Sequence, residues 1–300
     1  MDKKKVMRFI GVSTSDSSIN KIFPKWAEIL NLNAELRGLD LPIGTSAEKY
    51  RNALDEMISD SNCVGALVTT HKIALYEGAK DRFESFDSFA SACGEISSLK
   101  ISDGKLFGSA KDPITAGLSI EEFLEPDHFK NGASVLCFGD GGAASAIVWY
   151  LTGLEVAPKN LYFSGISQAS LNRLQGVIAD RPNSERVKTL LADPNEINQI
   201  LENLAPASLI INATGMGKDI PGSPMPLGSK FPGQAIIWEL NYRGSREFLQ
   251  QAKNQGEDLI IHDGWRYFIH GWSQVVAEVF DIELTPKLLI ELSTAAKSAK

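Results

Sequence analysis

The feature that most constrains the fold of this chain is a glycine-rich turn at residues 139–144, where an apolar, strand-like run passes into a helix-like segment. The turn has the pattern G-x-G-x-x-A, with Gly139, Gly141 and Ala144 at its fixed positions. The first glycine allows a tight turn, the second lets a pyrophosphate approach the backbone, and the small third residue lets helix and strand pack closely. The helix N-terminus adds N–H donors and partial positive charge. The pattern therefore predicts a dinucleotide-binding turn, and a strand-to-helix turn without a ligand is the alternative.

The rest of the chain alternates strand-like and helix-like segments, which predicts an α/β fold with largely parallel sheets. Strands are predicted at residues 6–12, 34–39, 64–70, 134–139, 160–164, 187–191, 208–213, 235–240 and 258–262, with a hairpin around 103–105. Helices are predicted at residues 22–32, 47–58, 112–124, 265–280 and 286–296, and between most of the strands from residue 134 to residue 262. The polar segment 125–132 is the predicted domain boundary. Because two helices follow a completed sheet, they are expected to return to the first domain, which gives domains of 1–125 with 264–300 and of 126–263.

Composition and charge exclude several classes of protein. The chain has 300 residues, of which 43% are hydrophobic and 22% charged, so it is not a disordered, collagen-like or coiled-coil chain. The net charge of −7, without a basic run, argues against a nucleic-acid partner. The apolar run after the basic start is only about seven residues, so no signal peptide is expected, and no run approaches about 18 residues, so no membrane span is expected. Three widely spaced cysteines fit reduced thiols in a cytoplasmic protein and indicate no metal site.

The ribose end of the predicted cofactor site lacks its usual acid. A NAD site carries Asp or Glu about 20 residues after the glycine turn, at the end of the second strand. Residues 162–167 read Y-F-S-G-I-S and contain neither an acid nor an arginine. Ser164, Ser167 and Arg173 could serve a 2′-phosphate instead. The sequence therefore favours NADP slightly and leaves NAD open.

Further segments occur in the order typical of the shikimate and quinate dehydrogenase family. They are a serine-rich loop after Gly11, V-T-x-H-K at 68–72, D-G-K-x-x-G at 103–108 before Asp112, the glycine turn, N-A-T-x-x-G at 212–217, and Asp263-Gly264 before a helix. The chain resembles this family over most of its length. The resemblance implies an N-terminal α/β substrate domain, a Rossmann-type NAD(P)-binding domain and C-terminal helices that return to the first domain.

The resemblance also implies an activity and a set of site residues. The activity is reversible hydride transfer between a secondary alcohol and a ketone of a small cyclic hydroxy acid, in the shikimate pathway of aromatic amino-acid biosynthesis. Lys72 and Asp112 are the implied catalytic pair, although by themselves they would be an ordinary lysine and a helix N-cap. Implied substrate contacts are Ser15, Ser17, Thr69, Ser97 and Gln274. Implied cofactor contacts are Gly139, Asp140, Gly141, Gly142, Ala143, Ala144, Ser164, Asn212, Ala213, Thr214, Gly215, Met216 and Gly264.

The sequence departs from the family where the substrate is expected. Leu67 and Ser97 stand where the family has asparagines, and Ala110-Lys111 stands where it has N-T. The proline that precedes His-Lys in the family is missing before His71. Gly271 stands at the family's helix glutamine, and Gln274, one turn later, could take its role. In the serine loop, an alignment without a gap places Ser17 at the first serine of the family's S-x-S pattern and Ile19 at the second. A shifted alignment places Ser15 and Ser17 at these two positions. A site that loses polar partners loses selectivity, so shikimate is not the expected substrate.

Two other functions and the oligomeric state stay open. A cofactor-binding sensor or regulator with little turnover is the main alternative, and a relative that acts on a folate or an amino acid is the third. His71 and His262 have no partners at metal-ligand spacing and are interpreted as polar loop residues. The expected partner is a small molecule, and the chain is expected to be a monomer or a homodimer.

Overall fold

The computed structural model describes residues 3–218, 220–256 and 258–299, and these fall into two compact units. One unit contains the chain up to Lys111 and from Ile269 onward, and the other contains Asp112–Phe268. Each unit has its own sheet with helices, so the predicted two-domain α/β fold is confirmed. The predicted return of the C-terminal helical segment to the first unit is confirmed as well.

The first unit is built on a mixed sheet. Its strands, within the described residues, are β1 (Lys5–Gly11), β2 (Ala34–Asp40), β3 (Cys63–Val68), β4 (Phe83–Phe86), β5 (Ser98–Ser102) and β6 (Lys105–Ser109), in the order β2-β1-β3-β5-β6-β4. β1 pairs parallel to β2 and β3, whereas β5 pairs antiparallel to β3 and β6. The parallel pairs place the carboxyl ends of β1 and β3 at the same edge of the sheet.

Helices cover this sheet and supply its core. They are α1 (Ile19–Ile29), α2 (Ala47–Ser59), α3 (Lys72–Ala79) and α4 (Ser88–Cys93), and the C-terminal helix of the unit is Pro286–Ala296. Tyr50 and Leu54 of α2 are buried with Val68 of β3 in one apolar cluster. On α1, the buried indole N–H of Trp26 donates a hydrogen bond to the carbonyl of Leu292 (2.9 Å). This bond ties the first helix of the chain to the C-terminal helix.

The second unit has a fully parallel sheet. The described part of this unit contains β7 (Val135–Phe138), β8 (Leu161–Gly165), β9 (Val187–Leu191), β10 (Leu209–Asn212), β11 (Ile236–Glu239) and β12 (Ile260–His262), in the order β12-β11-β10-β7-β8-β9. Numbered from β7, this is the strand order 3-2-1-4-5-6 of a dinucleotide-binding fold. The order reverses between β7 and β10, which is where such a fold binds its ligand. β7 is continuously buried, as a strand at the centre of a parallel sheet must be.

The helices of the second unit are α5 (Asp112–Glu121), α6 (Gly142–Thr152), α7 (Gln168–Val177), α8 (Pro194–Asn203) and α9 (Glu247–Gln255). The next helix, α10 (Trp265–Val279), begins in this unit and ends in the first. The C-terminal helix Pro286–Ala296 is therefore α11. α8 shows how the local sequence sets a helix start. Asp193 accepts hydrogen bonds from the backbone N–H groups of Asn195 and Glu196, and Pro194 occupies the first helical position. No helix in the described ranges is long and apolar enough to cross a membrane.

The first compact unit ends at Lys111, which is one helix earlier in the chain than the predicted domain boundary at 125–132. α5 packs against α6, where the Tyr150 hydroxyl donates to a carboxylate oxygen of Glu121 (3.0 Å). α5 therefore groups with the second unit, although the sequence placed it in the first domain. The bounds 1–125 with 264–300 and 126–263 stay a prediction for the domains that carry function.

Three short elements were not predicted, and one helix begins early. α3, α4 and β4 span eight, six and four residues, too few to show a clear periodicity. α1 begins at Ile19 although the sequence predicted residue 22, and it tolerates Pro24 in its interior. The backbone N–H of Ile22 already donates to the carbonyl of Ser18 (3.2 Å), so the first turn is complete before the proline.

Candidate functional site

The glycine turn leaves β7 with a backbone that requires glycine. Gly139 has φ of +126°, and a Cβ placed on it would lie 2.8 Å from the carbonyl oxygen of Ala213. Its N–H donates to the carbonyl of Ser164 in β8 (2.8 Å), and the N–H of Ala213 donates to the carbonyl of Phe138 (2.8 Å). The turn is therefore fixed between the ends of β8 and β10, at the point where the strand order reverses.

The space beside the first turn of α6 fits an anionic ligand. Gly141 is the N-cap residue, and a Cβ on it would meet no atom within 4 Å. Gly142, Ala143 and the fully buried Ala144 form the first turn of the helix. Within the described part of the chain, Ser145 Oγ and Arg173 Nε are buried without a hydrogen-bond partner. Open space at a helix N-terminus near unsatisfied donors suits the phosphates of a dinucleotide.

Two glycine substitutions test the geometry of this turn. We expect Gly139→Ala to lower the free energy of unfolding by about 1–3 kcal/mol, because alanine is strained at positive φ and its methyl group would contact Ala213. Gly141→Ala is the matched control, since its φ is −88° and the site is open. Urea unfolding monitored by circular dichroism measures both. Equal losses in the two variants would contradict the assigned turn geometry.

A buried carboxylate organises the second predicted cofactor turn. Glu239, the last residue of β11, is fully buried and accepts hydrogen bonds from Asn212 Nδ2 (2.7 Å), from Asn241 N (2.8 Å) and from Asn241 Nδ2 (2.7 Å). Burial raises the pKa of Glu239 to about 7, although its hydrogen bonds act in the opposite direction. Asn212 Oδ1 in turn accepts from the N–H (3.0 Å) and hydroxyl (2.6 Å) of Thr214, whose Oγ1 accepts from Met216 N (3.1 Å).

The other cofactor candidates lie in the same unit. Ser164 is buried in β8, and Ser167 caps α7 by accepting from Ser170 N (3.2 Å). The carbonyl of Gly215 accepts from the N–H of Ile220 (3.1 Å). Gly264 directly precedes α10, and its carbonyl accepts from Phe268 N (2.9 Å). Sequence reasoning missed Glu239, and the signal for it was an acid that ends the apolar run I-I-W-E.

In the first unit, three predicted residues come together at the carboxyl edge of β3. The N–H and hydroxyl of Thr69 both donate to the carbonyl of Ile10, at 3.0 and 3.3 Å. Lys72 begins α3, and its carbonyl accepts from the N–H of Ile96 (3.2 Å). Ser97 is buried, and its carbonyl accepts from the N–H of the last β3 residue (2.9 Å). The serine loop follows β1 at the same edge.

The remaining predicted substrate residues differ in exposure and location. Ser15 is exposed, whereas Ser17 is buried and its Oγ accepts from Ile19 N (3.5 Å). Gln274 of α10 lines a cavity of about 590 Å³ whose lining includes neither Thr69 nor Lys72. Of the predicted catalytic pair, Lys72 lies in the first unit, and Asp112 is the first residue of α5 in the second.

Lys111, the residue before Asp112, belongs to a cluster of charged side chains in the first unit. The Lys111 ammonium lies 3.0 Å from a carboxylate oxygen of Glu278 and 3.6 Å from one of Asp87. Glu278 also accepts a hydrogen bond from the Ser109 hydroxyl (2.5 Å). The backbone N–H of Lys111 donates to Ser97 Oγ (2.7 Å), so the Ser97 hydroxyl already has a partner in the protein. No local pattern indicates this cluster, because its members are far apart in the chain.

His71 lies in the turn before α3, which agrees with its interpretation as a polar loop residue, but its side chain is buried. His71 is buried between two distant segments, with Nδ1 2.8 Å from the Tyr50 hydroxyl and Nε2 2.9 Å from the carbonyl of Leu41. Since the carbonyl of Leu41 can only accept, Nε2 carries a proton and donates it to that carbonyl. His262 is the last residue of β12, within the predicted strand 258–262, so its interpretation as a loop residue is wrong, and its ring stacks on Phe123 at a centroid distance of 4.4 Å.

The two units together define a class: a two-domain α/β protein whose second unit is a Rossmann-type domain with a glycine turn at its switch point. No family model matches the chain. It is 25% identical over 183 residues to the shikimate dehydrogenase (NADP(+)) of Lactococcus lactis subsp. cremoris, covering 60% of this chain and 62% of that relative. It is 26% identical over 211 residues to the shikimate dehydrogenase (NADP(+)) of Methanocaldococcus jannaschii, covering 67% and 69%.

Solved structures show the same fold over nearly the whole chain. The quinate dehydrogenase of Corynebacterium glutamicum in complex with NAD has a TM-score of 0.75 and 18% identity, with 99% of this chain and 100% of that chain covered. The shikimate 5-dehydrogenase of Thermus thermophilus in complex with NADP(H) and shikimate has a TM-score of 0.73, with the same identity and coverage. The resemblance to the shikimate and quinate dehydrogenases is confirmed.

Proposed function

We propose that this chain is an NAD(P)-dependent oxidoreductase of the shikimate dehydrogenase type, which transfers hydride reversibly between a secondary alcohol and a ketone of a small cyclic hydroxy acid. The observation that carries this proposal is the glycine turn at the switch point of a Rossmann-type sheet, in a chain similar to enzymes named shikimate dehydrogenase (NADP(+)). NADP is the proposed cofactor because those relatives carry it in their names. NAD stays an alternative, since the quinate dehydrogenase structure contains it.

The chain's own residues have separate tasks in this reaction. The bound nicotinamide supplies the hydride acceptor or donor. The Gly139–Ala144 turn holds the pyrophosphate, because it combines close backbone approach with a helix N-terminus. The turn from Asn212 to Met216 borders the same switch point, and Glu239 keeps it in one conformation through Asn212.

Proton transfer falls to the proposed catalytic residues. Oxidation of a secondary alcohol requires loss of the hydroxyl proton as hydride leaves the carbon. Lys72 takes up this proton as an amine and returns it as an ammonium in the reverse direction. Asp112 accepts a hydrogen bond from the substrate. The family resemblance supports both roles.

The first unit supports a substrate that differs from shikimate. Leu67, where the family has an asparagine, is buried and offers no polar side-chain atom. The Ser97 hydroxyl, at the second asparagine position, accepts from Lys111 N. The site therefore presents fewer polar groups to a polyhydroxylated ring, and such groups can be worth about 10⁴-fold in discrimination.

A substrate panel tests this proposal. Steady-state rates are measured for the wild type with shikimate, quinate and less hydroxylated cyclic hydroxy acids, each with NADP+ and with NAD+. We expect turnover with the highest kcat/KM on an acid other than shikimate. If shikimate is the best substrate, the proposed substrate class is wrong and the reaction type stands. Dinucleotide binding without hydride transfer to any acid would support the alternative, a cofactor-binding regulator.

A further inference from the structure

An acid does lie at the ribose end of the candidate cofactor site, and the glycine turn supplies it. The Asp140 carboxylate extends from the end of β7 to the end of β8. There its Oδ2 accepts hydrogen bonds from the backbone N–H of Ile166 (2.8 Å) and from Ser170 Oγ (2.5 Å). Two donors on one oxygen hold the carboxylate in place beside the first turn of α7.

Gly165, the last residue of β8, leaves the room that this carboxylate occupies. A Cβ at residue 165 would lie 2.5 Å from Asp140 Oδ2 and 2.8 Å from Asp140 Cβ. In a dinucleotide-binding domain, the ribose-binding acid usually extends from the end of this second strand. The Asp140 carboxylate therefore fills the place of the missing side chain. A glycine at 165 and an aspartate at 140 form one arrangement, in which the acid has moved from the strand to the turn.

The Asp140 carboxylate has one oxygen free for a ligand. Within the described residues, Oδ1 has no hydrogen-bond partner and no cationic side chain forms an ion pair with Asp140. Arg173 is close, but its guanidinium donates to the backbone carbonyl of Asp140 (2.8 Å) and not to the carboxylate. A free carboxylate oxygen accepts a hydrogen bond from a hydroxyl and repels a phosphate.

We propose that Asp140 determines how this chain recognises the 2′ position of the adenosine ribose. Its carboxylate binds the 2′-hydroxyl of NAD and weakens the binding of the 2′-phosphate of NADP. The inference rests on the proposed function and refines it, because it shifts the balance between the two dinucleotides toward NAD.

Binding titrations test the assignment without any need for turnover. Dissociation constants of NAD+ and NADP+ are measured by calorimetry for the wild type, Asp140→Asn and Glu185→Gln. Asparagine keeps one oxygen that can accept from Ile166 and Ser170, and it replaces the free, charged carboxylate oxygen with an uncharged N–H₂ donor. Glu185 is exposed in the turn before β9, at the opposite end of the strands, so Glu185→Gln controls for net charge.

We expect Asp140→Asn to strengthen NADP+ binding relative to NAD+ by about tenfold or more at low salt, a difference of about 1.4 kcal/mol. Glu185→Gln should leave the ratio of the two constants unchanged. In the wild type, rising salt should favour NADP+ relative to NAD+, because screening weakens the repulsion. This third measurement needs no variant, so it tests for anionic repulsion of the 2′-phosphate even if the Asp140 variant does not fold.

The outcomes separate this inference from the proposed function. If both dinucleotides bind and Asp140→Asn leaves the ratio unchanged, the role of Asp140 is wrong and the proposed function stands. An equal change in Glu185→Gln, or a wild-type ratio that moves toward NAD+ with salt, overturns the inference in the same way. If neither dinucleotide binds the wild type, both the inference and the proposed cofactor are wrong.

Discussion

Replacement of Lys72 by methionine is expected to lower kcat by about 10²–10⁴-fold, the usual range for loss of a general acid–base group. Methionine keeps the length and most of the apolar contact of the side chain, and it removes the group that moves the hydroxyl proton. Because Lys72 is half-buried at the first position of α3, the backbone should keep its conformation. The dissociation constant for NADP+ should change little, since the proposed cofactor turns belong to the other compact unit.

The matched control is Lys80→Met. Lys80 is an exposed lysine at the end of the same helix, and its ammonium lies 5.9 Å from the centre of the Tyr76 ring. Steady-state kinetics on the best acid of the panel, circular dichroism and NADP+ titration are run on both variants and the wild type. A Lys72→Met enzyme with full turnover would show that another group transfers the proton. A loss of the same size in Lys80→Met would show that the effect is structural.

The stability of the protein is expected to fall by about 3 kcal/mol between pH 4.5 and pH 8 through Glu239 alone. Burial raises the pKa of this carboxyl from 4.5 to about 7, so the folded state binds its proton more tightly than the unfolded state. The stabilisation is complete below pH 4.5, declines as pH rises through the folded-state pKa, and is absent above about pH 8. Glu239 is fully buried, so solvent screening weakens the effect little.

Glu239→Gln isolates this contribution. Glutamine does not titrate, so the difference in unfolding free energy between wild type and variant should change by about 3 kcal/mol over that pH range. Burial lowers the pKa of His262, which gives an opposite slope below pH 6.5, but this slope is common to both proteins and cancels in the difference. Urea unfolding at half-unit pH steps measures the two curves. Parallel curves for Glu239→Gln and the wild type would contradict the raised pKa.

The glycine turn and the class of fold could be predicted from sequence because their signals are local. Gly139, Gly141 and Ala144 lie within six residues, and strand and helix periodicities are short-range. The same holds for α8, whose start is determined by Asp193 and Pro194. Short elements such as α3 lack such a signal, because eight residues contain little more than two turns.

Contacts between distant residues could not be predicted. The position of the Asp140 carboxylate depends on Ile166, 26 residues away, and His71 is buried by Tyr50 and Leu41 from other elements. In the sequence, Glu239 is only the end of an apolar strand, because its partners Asn212 and Asn241 are brought to it by the fold. The catalytic and substrate-binding residues stay predictions, because they derive from the family resemblance.

The bond between Trp26 and the carbonyl of Leu292 has a consequence for how the protein is made. Its partners are 266 residues apart, and both belong to the first unit. A chain synthesised from its N-terminus at about 5–20 residues per second completes Asp112–Phe268 before it supplies α11. The indole of Trp26 therefore lacks its hydrogen bond to Leu292 and its contact with α11 until the other unit has had time to fold. We therefore expect the first unit, although its synthesis begins first, to complete its folding after the second unit.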